Sequence, residues 1–245
     1  MDLLAQLGIA FVLSALLSAI AYKLRMLTYT GALASFFVGY VVGLFSSIEW
    51  LVILIVFTAA GLIATKMDIG DKYGAGLQEG AYGERSAKNV LGVGLPPVII
   101  AVLYAIVHNV VGNQYDLGLT VAFVSTLTVA AADTLASEVG VKDRKVWLIT
   151  NFKRVKRGTN GGVSVLGTIA AIVASVITAI IGWLIIYGGI DVYVIVPILM
   201  GILGSVLDSV FGATLETRGI ISKYVNNGST ALIGALIGFA IILFI

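Results

Sequence analysis

The sequence contains no cysteine and only one histidine, His108. The absence of cysteine excludes disulfide bonds, thiolate metal sites and a thiol nucleophile. His108 lies away from the other polar clusters, so we exclude acid–base catalysis by histidine. Charged residues are also scarce: they make up 11% of the 245 residues, whereas hydrophobic residues make up 59% and the mean hydropathy is +1.06. This composition predicts a membrane protein.

Apolar segments long enough to cross a bilayer recur along the whole chain. We predict an all-α, polytopic membrane helix bundle of about eight transmembrane segments, with roughly seven or nine as alternatives if some helices are short or re-entrant. It would form a single integral membrane domain over residues 1–245. The segments are Leu3–Tyr22, Thr28–Ile48, Trp50–Thr65, Val90–Val111, Leu117–Ser137, Gly162–Tyr187, Val192–Phe211 and Ser229–Ile245.

The basic residues are distributed unevenly between the connections. All 15 Lys and Arg residues fall in four gaps between apolar stretches, and the intervening gaps carry only acids. Because Lys and Arg are retained in the cytoplasm, we expect cytoplasmic loops at about 66–89, 139–161 and 217–228 and both termini outside. The plasma membrane is the expected location if the source is prokaryotic. Such a basic surface attracts anionic lipids or phosphorylated ligands.

Four carboxylates lie near the ends of two otherwise apolar segments. Asp133 and Glu138 belong to ADTLASEVG, and Asp208 and Glu216 belong to LDSVFGATLE. Ionisable residues in a transmembrane helix usually face a cavity, a partner or an ion. Both helices run in the same direction, so Asp133 and Asp208 should reach a similar depth and could hold Mg²⁺. Pairing of each carboxylate with a nearby Lys or Arg, or with helix-end amides, is the alternative.

The segment NFKRVKRGTNGGVSVLGT, residues 151–168, combines cations, glycines and short polar side chains. Glycines permit close backbone approach, and amides at the start of a helix attract anions, so we predict a phosphate site here. The alternative is that the basic residues only set topology. The residues concerned are Lys153, Arg154, Lys156, Arg157, Gly158, Thr159, Asn160, Gly161, Gly162 and Ser164. Two further polar clusters are expected on the same side: Lys66, Arg85 and Asn89 form one, and Asn226 and Asn227 form the other.

These motifs resemble the DUF92/TMEM19 family of integral membrane proteins, whose plant members are phytyl-phosphate kinases of tocopherol synthesis. The resemblance covers most of the chain, and ADTLASE followed by GTNGGVS is its most specific part. Other resembling segments are LTYTGALAS, TKMDIGDK, GERSAKNVLGVG, GSVLDSVFGATLE and Val225–Asn227. This chain departs from the family pattern at Asn89 and Val93, where Gln and Asn are usual.

The resemblance implies a prenyl-phosphate kinase. Such an enzyme would transfer the terminal phosphoryl group of a nucleoside triphosphate, CTP in particular, to phytyl, geranylgeranyl or farnesyl phosphate. The acceptor phosphate is already largely ionised at neutral pH, so no strong general base is needed. The implied partners are membrane lipid, the isoprenyl-phosphate substrate and the nucleotide, with no nucleic acid and no stable protein partner.

The resemblance also assigns roles to residues. Mg²⁺, or Mn²⁺, would be held by Asp133, Glu138, Asp208 and Glu216. The implied catalytic residues are Asp133, Glu138, Asp208, Lys153 and Arg157. The implied nucleotide- and phosphate-binding residues are Lys66, Arg85, Asn89, Lys156, Gly158, Thr159, Asn160, Gly161, Gly162, Ser164, Asn226 and Asn227.

Four other functions are compatible with the same residues. A CTP-dependent lipid cytidylyltransferase would attack the α-phosphorus instead, and a prenol kinase would need a base, for which Asp133 is available. Glycine-rich helices and intramembrane acids are also typical of an ion-coupled transporter, although carriers usually bind substrate near the midplane rather than at one face. In a purely structural membrane protein the carboxylates would have no function.

Overall fold

The computed structural model describes residues 2–66 and 83–245, with side chains for 2–64 and 83–245. The described chain is predominantly α-helical, and each predicted apolar segment coincides with a helix, so the predicted all-α bundle is confirmed. The helices are α1 (Leu3–Lys23), α2 (Tyr29–Phe45), α3 (Ile48–Lys66), α4 (Ala87–Val111), α5 (Asp116–Gly140), α6 (Val165–Tyr187), α7 (Ile195–Phe211) and α8 (Lys223–Leu243).

Most of these helices are long enough to cross a bilayer. In the described part of the chain, five helical runs have the length and hydropathy of membrane spans, and one of them, Ala87–Gly140, contains both α4 and α5. A short 3₁₀ turn, Gly112–Tyr115, joins these two helices. The helices at Tyr29–Phe45 and Ile48–Ala64 are apolar but shorter. This arrangement is that of a polytopic membrane bundle.

The helices form two compact units, residues 1–116 and 117–245. The single integral membrane domain predicted over residues 1–245 stays a prediction. In the first unit, α2 packs against α1 and α4. Leu27 forms a parallel bridge with Arg85, and the Thr28 N–H donates to the Arg85 carbonyl oxygen at 3.1 Å. A Cβ on Gly31 would lie 2.3 Å from that same oxygen, so the first turn of α2 can approach Arg85 this closely only with glycine at position 31.

The single histidine lies at the end of α4 in the first unit. His108 Nδ1 is 2.9 Å from Asp116 Oδ2, and the Tyr104 hydroxyl donates to the same oxygen at 3.4 Å. Nearly half of the His108 side chain is exposed. These contacts hold the turn that follows α4.

Helix α5 is the core of the second unit, because every residue from Gly118 to Ala132 is buried. Glycines on the neighbouring helices allow this close packing. A Cβ on Gly204 of α7 would lie 2.4 Å from a methyl group of Val129, and one on Gly234 of α8 would lie 2.9 Å from it. Thr128 donates to the Pro197 carbonyl oxygen at 2.8 Å. The backbones of three helices therefore approach one another closely around Val129.

The connection between α5 and α6 contains a small antiparallel sheet that the sequence did not predict. Its strands are β1 (Val146–Leu148), β2 (Arg154–Val155) and β3 (Gly162–Val163), in the order β2-β1-β3. Gly162 therefore belongs to a strand, and α6 begins three residues later, at Val165. The predicted loop 139–161 is thus largely a folded hairpin rather than an open loop.

We predict that Gly204→Ala destabilises the second unit, because the new methyl group would overlap Val129. Overpacking of this kind typically costs about 1–3 kcal/mol. Combining it with Val129→Ala should recover much of the loss, because the smaller side chain makes room. Thermal unfolding in detergent, followed by tryptophan fluorescence, measures both effects. Additive losses in the double variant would contradict the proposed packing.

Candidate functional site

Two carboxyl groups from different helices meet in the second unit. Asp133 on α5 and Asp208 on α7 are joined by a side-chain hydrogen bond. Each residue lies toward the C-terminal end of its helix. A hydrogen bond between two carboxyl groups requires a proton on one of them, and a bound cation would remove the same repulsion. Glu216 and Lys223 also act electrostatically on Asp208. The pair is therefore a place where positive charge is stabilised.

Helix α7 is followed directly by a π-helical turn, Gly212–Glu216. Such turns are rare and are often found at functional sites. Glu216, the last residue of the turn, accepts hydrogen bonds on both carboxylate oxygens. Asn160 Nδ2 donates to Oε1 at 2.9 Å, and Asn226 Nδ2 donates to Oε2 at 3.4 Å. Glu216 therefore joins the glycine-containing segment before α6 to the first turn of α8.

The glycine loop, which we define as Gly158–Gly162, lies directly on the π-helical turn. Gly161 has a φ of +72°, in the left-handed region that favours glycine. A Cβ on Gly161 would lie 2.4 Å from Ala213 Cβ and 2.6 Å from the Ser209 carbonyl oxygen. Both the backbone conformation and the close approach therefore require glycine at this position.

Asn226 and Asn227 lie in a helix and not in the predicted loop 217–228. Helix α8 begins at Lys223, because Ser222 caps it by accepting a hydrogen bond from the Val225 N–H at 3.3 Å. Both asparagines are therefore in its first turns. In the orientation that satisfies its neighbours, the Asn227 amide donates to Asp208 Oδ2 at 3.3 Å and to the Lys223 carbonyl oxygen at 2.9 Å.

Asn226 is fully buried, with a relative exposure of 0%. Its Nδ2 donates to the Asp208 carbonyl oxygen at 3.1 Å as well as to Glu216. Its Oδ1 is buried and has no hydrogen-bond partner in the described structure. A buried acceptor without a partner typically costs about 1–3 kcal/mol. Such an atom beside acidic side chains marks a place where a ligand can supply the missing interaction.

The start of α6, predicted to bind phosphate, is occupied by the protein's own groups. Ser164 Oγ accepts from the Gly167 N–H at 3.1 Å, and Asp143 Oδ2 accepts from the Leu166 N–H at 3.4 Å. The backbone N–H of Lys145 lowers the pKa of Asp143, so this carboxyl is an anion at neutral pH. Ser164 is therefore the N-cap of α6, and the predicted use of these amides for phosphate stays a prediction.

The basic residues of the predicted phosphate site lie on the surface of the hairpin. Lys153, Arg154, Lys156 and Arg157 are all exposed. Arg157 Nη1 donates to the Val141 carbonyl oxygen at 3.3 Å. Within residues 83–245, no ion pair joins these four side chains to a carboxylate. Thr159 Oγ1 donates to the Lys156 carbonyl oxygen at 2.7 Å and thereby supports the turn. The predicted contact of the four basic side chains with phosphate stays a prediction.

The four predicted metal ligands are not gathered into one cluster. Among the residues that the structure describes, no group of three or more His, Cys, Asp or Glu side chains is arranged to hold a metal ion. Glu216 is instead bound by the amides of Asn160 and Asn226. Glu138 lies closer than Asp133 to the C-terminal end of α5, and the Oε2 atom of Glu138 is buried. The predicted role of the four carboxylates as metal ligands stays a prediction, and Asp133 and Asp208 are joined by a side-chain hydrogen bond.

The remaining predicted residues belong to the first unit. Asn89 Oδ1 accepts from the Ser86 N–H at 3.0 Å and caps the start of α4. The backbone of Arg85 is hydrogen-bonded to Met26 and Thr28. The side chain of Lys66 and residues 67–82 of the predicted loop 66–89 lie outside the described part of the chain. Asn89 thus caps α4, and its predicted contact with phosphate stays a prediction.

A family model for "Integral membrane protein DUF92" matches residues 12–241. The chain belongs to this family. It is therefore an integral membrane protein, and the resemblance found in its motifs is confirmed. An uncharacterized membrane protein of Methanocaldococcus jannaschii is 28% identical over 242 residues, which cover 98% of this chain and 96% of the relative.

Two relatives of this DUF92 chain come from Arabidopsis thaliana. "Protein PGR" is 27% identical over 236 residues, which cover 87% of this chain and 80% of the relative. "Protein VTE6, chloroplastic" is 32% identical over 123 residues, which cover 50% of this chain and 36% of the relative. No solved structure matches the chain.

We predict that Gly161→Ala is more destabilising than Gly219→Ala. Both glycines have a positive φ, +72° and +70°, but nothing lies within 4 Å of the position of a Cβ on Gly219. The comparison therefore separates backbone strain from the collision with the π-helical turn. The collision should add about 1–3 kcal/mol of destabilisation. Thermal unfolding of both variants measures the difference, and equal losses would show that the glycine loop does not rest on α7.

Proposed function

We propose that this protein is a prenyl-phosphate kinase of the membrane. It would transfer the terminal phosphoryl group of a nucleoside triphosphate, with CTP as the first candidate, to an isoprenyl monophosphate. The observation that supports this proposal most strongly is the contact between Asp133 and Asp208 beside the glycine loop. Phosphoryl transfer needs this combination of oxygen ligands for a divalent cation and a backbone that can approach phosphates closely.

The residues of the site fit a divalent cation by their chemistry. Carboxylate and amide oxygens are the protein ligands that Mg²⁺ prefers. Asp133 and Asp208 supply two carboxylates, and the partnerless Oδ1 of Asn226 lies on a side chain bonded to the Asp208 backbone. When bound, the cation would neutralise the donor phosphates and the charge that develops during transfer.

The chain's own groups would position the reactants. One oxygen of the acceptor monophosphate would attack the γ-phosphorus, the bond from that phosphorus to the β-phosphate oxygen would break, and nucleoside diphosphate would leave. Lys153, Lys156 and Arg157 are exposed on the hairpin that leads into the glycine loop, where long cationic side chains can reach phosphate oxygens. The isoprenyl tail would lie in the membrane. Because the basic loops are expected in the cytoplasm, the nucleotide would enter from that side.

The test is transfer by detergent-purified protein supplied with labelled nucleoside triphosphate, Mg²⁺ and phytyl, farnesyl or geranylgeranyl phosphate. We expect nucleoside diphosphate and prenyl diphosphate as products. Asp133→Asn and Asp208→Asn should each reduce transfer by at least about 100-fold, as expected when transition-state charge loses its stabilisation. Asn109→Ala is a suitable control, because Asn109 is exposed on α4 and its side chain donates to the Ala105 carbonyl oxygen of the same helix.

The products also separate this proposal from the alternatives. A cytidylyltransferase would release pyrophosphate and form a nucleotide-linked lipid. A prenol kinase would accept the alcohol instead of the monophosphate. Undiminished transfer in both aspartate variants, with correctly folded protein, would remove the proposed site.

A further inference from the structure

We propose that Asn226 is a ligand of the divalent cation and that Glu216 is the residue that orients it. This inference rests on the proposed function for the presence of a cation, and it assigns a new role to each residue. The sequence predicted Glu216 as a direct metal ligand and Asn226 as a nucleotide-binding residue. The hydrogen bonds at the site instead favour Asn226 as the metal ligand and Glu216 as the residue that orients its amide.

The amide of Asn226 has one orientation. Its Nδ2 donates to the Asp208 carbonyl oxygen at 3.1 Å and to Glu216 Oε2 at 3.4 Å. A flipped amide would place Oδ1 against these two oxygens, and neither has a proton to donate when Glu216 is ionised. Oδ1 is therefore held on the other side of the group, fully buried and without a partner in the described residues.

The surroundings of Asn226 favour a cation over an anion or a neutral acceptor. Asp133, Asp208 and Glu216 are acidic, and Lys223 is the basic group that acts on Asp208. An anion or a neutral acceptor would meet repulsion from these carboxylates. A divalent cation would be attracted by all three and would satisfy the amide oxygen.

Each carboxylate oxygen of Glu216 accepts a hydrogen bond. One carboxylate oxygen accepts from Asn160 of the glycine loop and the other accepts from Asn226 of α8. Groups that hold a metal ligand in place commonly bind it on the side away from the metal. Glu216 is thus a positioning residue, which fixes the Asn226 amide and the glycine loop together.

Mn²⁺ binding to the full-length protein in detergent tests this assignment without any nucleotide or prenyl substrate. The signal of free Mn²⁺ in electron paramagnetic resonance gives the affinity directly. Asn226→Ala should weaken binding by about 10–100-fold, the range typical for losses around a metal site. Thr230→Val is the matched control, because Thr230 is equally buried on α8 and bonds the Asn226 carbonyl oxygen, not its side chain. Its Mn²⁺ affinity should equal that of the unchanged protein.

Variants of Glu216 distinguish positioning from direct binding. In Glu216→Gln the new amide oxygen can still accept from Asn226, so Mn²⁺ affinity should fall less than in Asn226→Ala. If Glu216 binds the metal itself, its loss should be as severe as that of Asp208→Asn.

Two results would overturn the inference. One is an Asn226→Ala variant that binds Mn²⁺ as tightly as the unchanged protein while Asp133→Asn and Asp208→Asn do not. The other is a Glu216→Gln variant as defective as Asp208→Asn. Failure of the proposed kinase function gives a different pattern, because Mn²⁺ would bind with the predicted dependence on Asn226 while no phosphoryl transfer occurred.

Discussion

The structure depends on how the repulsion between two carboxyl groups, held in contact inside a membrane protein, is relieved. Water is scarce between apolar helices, so the repulsion between Asp133 and Asp208 must be relieved by a proton, a cation or fixed hydrogen-bond donors. Neighbouring polar groups relieve part of this repulsion. Asn227 donates to one Asp208 oxygen, and Lys223 adds positive charge. A metal ion would complete the compensation.

The geometry of the site is maintained by backbone packing. Glycines on α7 and α8 let both helices approach α5 at Val129, which sets the spacing between the helices that carry the two aspartates. The same device recurs at the end of α7, where Gly161 brings the glycine loop against Ser209 and Ala213. Glu216 then links the loop to α8 through Asn160 and Asn226. Helix α5, the glycine loop, α7 and α8 are thereby held close together around the two aspartates.

Much of this architecture is readable from the sequence, because membrane spans follow from hydropathy alone. The approach of Asp133 to Asp208 could also be anticipated, because each residue lies near the end of an apolar segment and the two segments run in the same direction. Other features carried no usable signal. The three-stranded sheet at 146–163 consists of strands of two or three residues, too short for a periodic pattern. The π-helical turn at Gly212–Glu216 depends on tertiary contacts, and so does the pairing of Glu216 with two asparagines. Asn226 and Asn227 were expected in a loop because the apolar segment begins only at Ser229, yet Ser222 caps α8 before them.

The central claim is that Asp133 and Asp208 jointly bind a divalent cation. The most direct measurement is a crystal structure of the full-length protein with Mn²⁺, with anomalous scattering used to locate the metal. The account predicts one anomalous peak within about 2.1 Å of carboxylate oxygens from both residues, a distance typical of such hard cations. A structure in which the two side chains point apart, or in which manganese binds elsewhere and leaves this pair without metal, would contradict it.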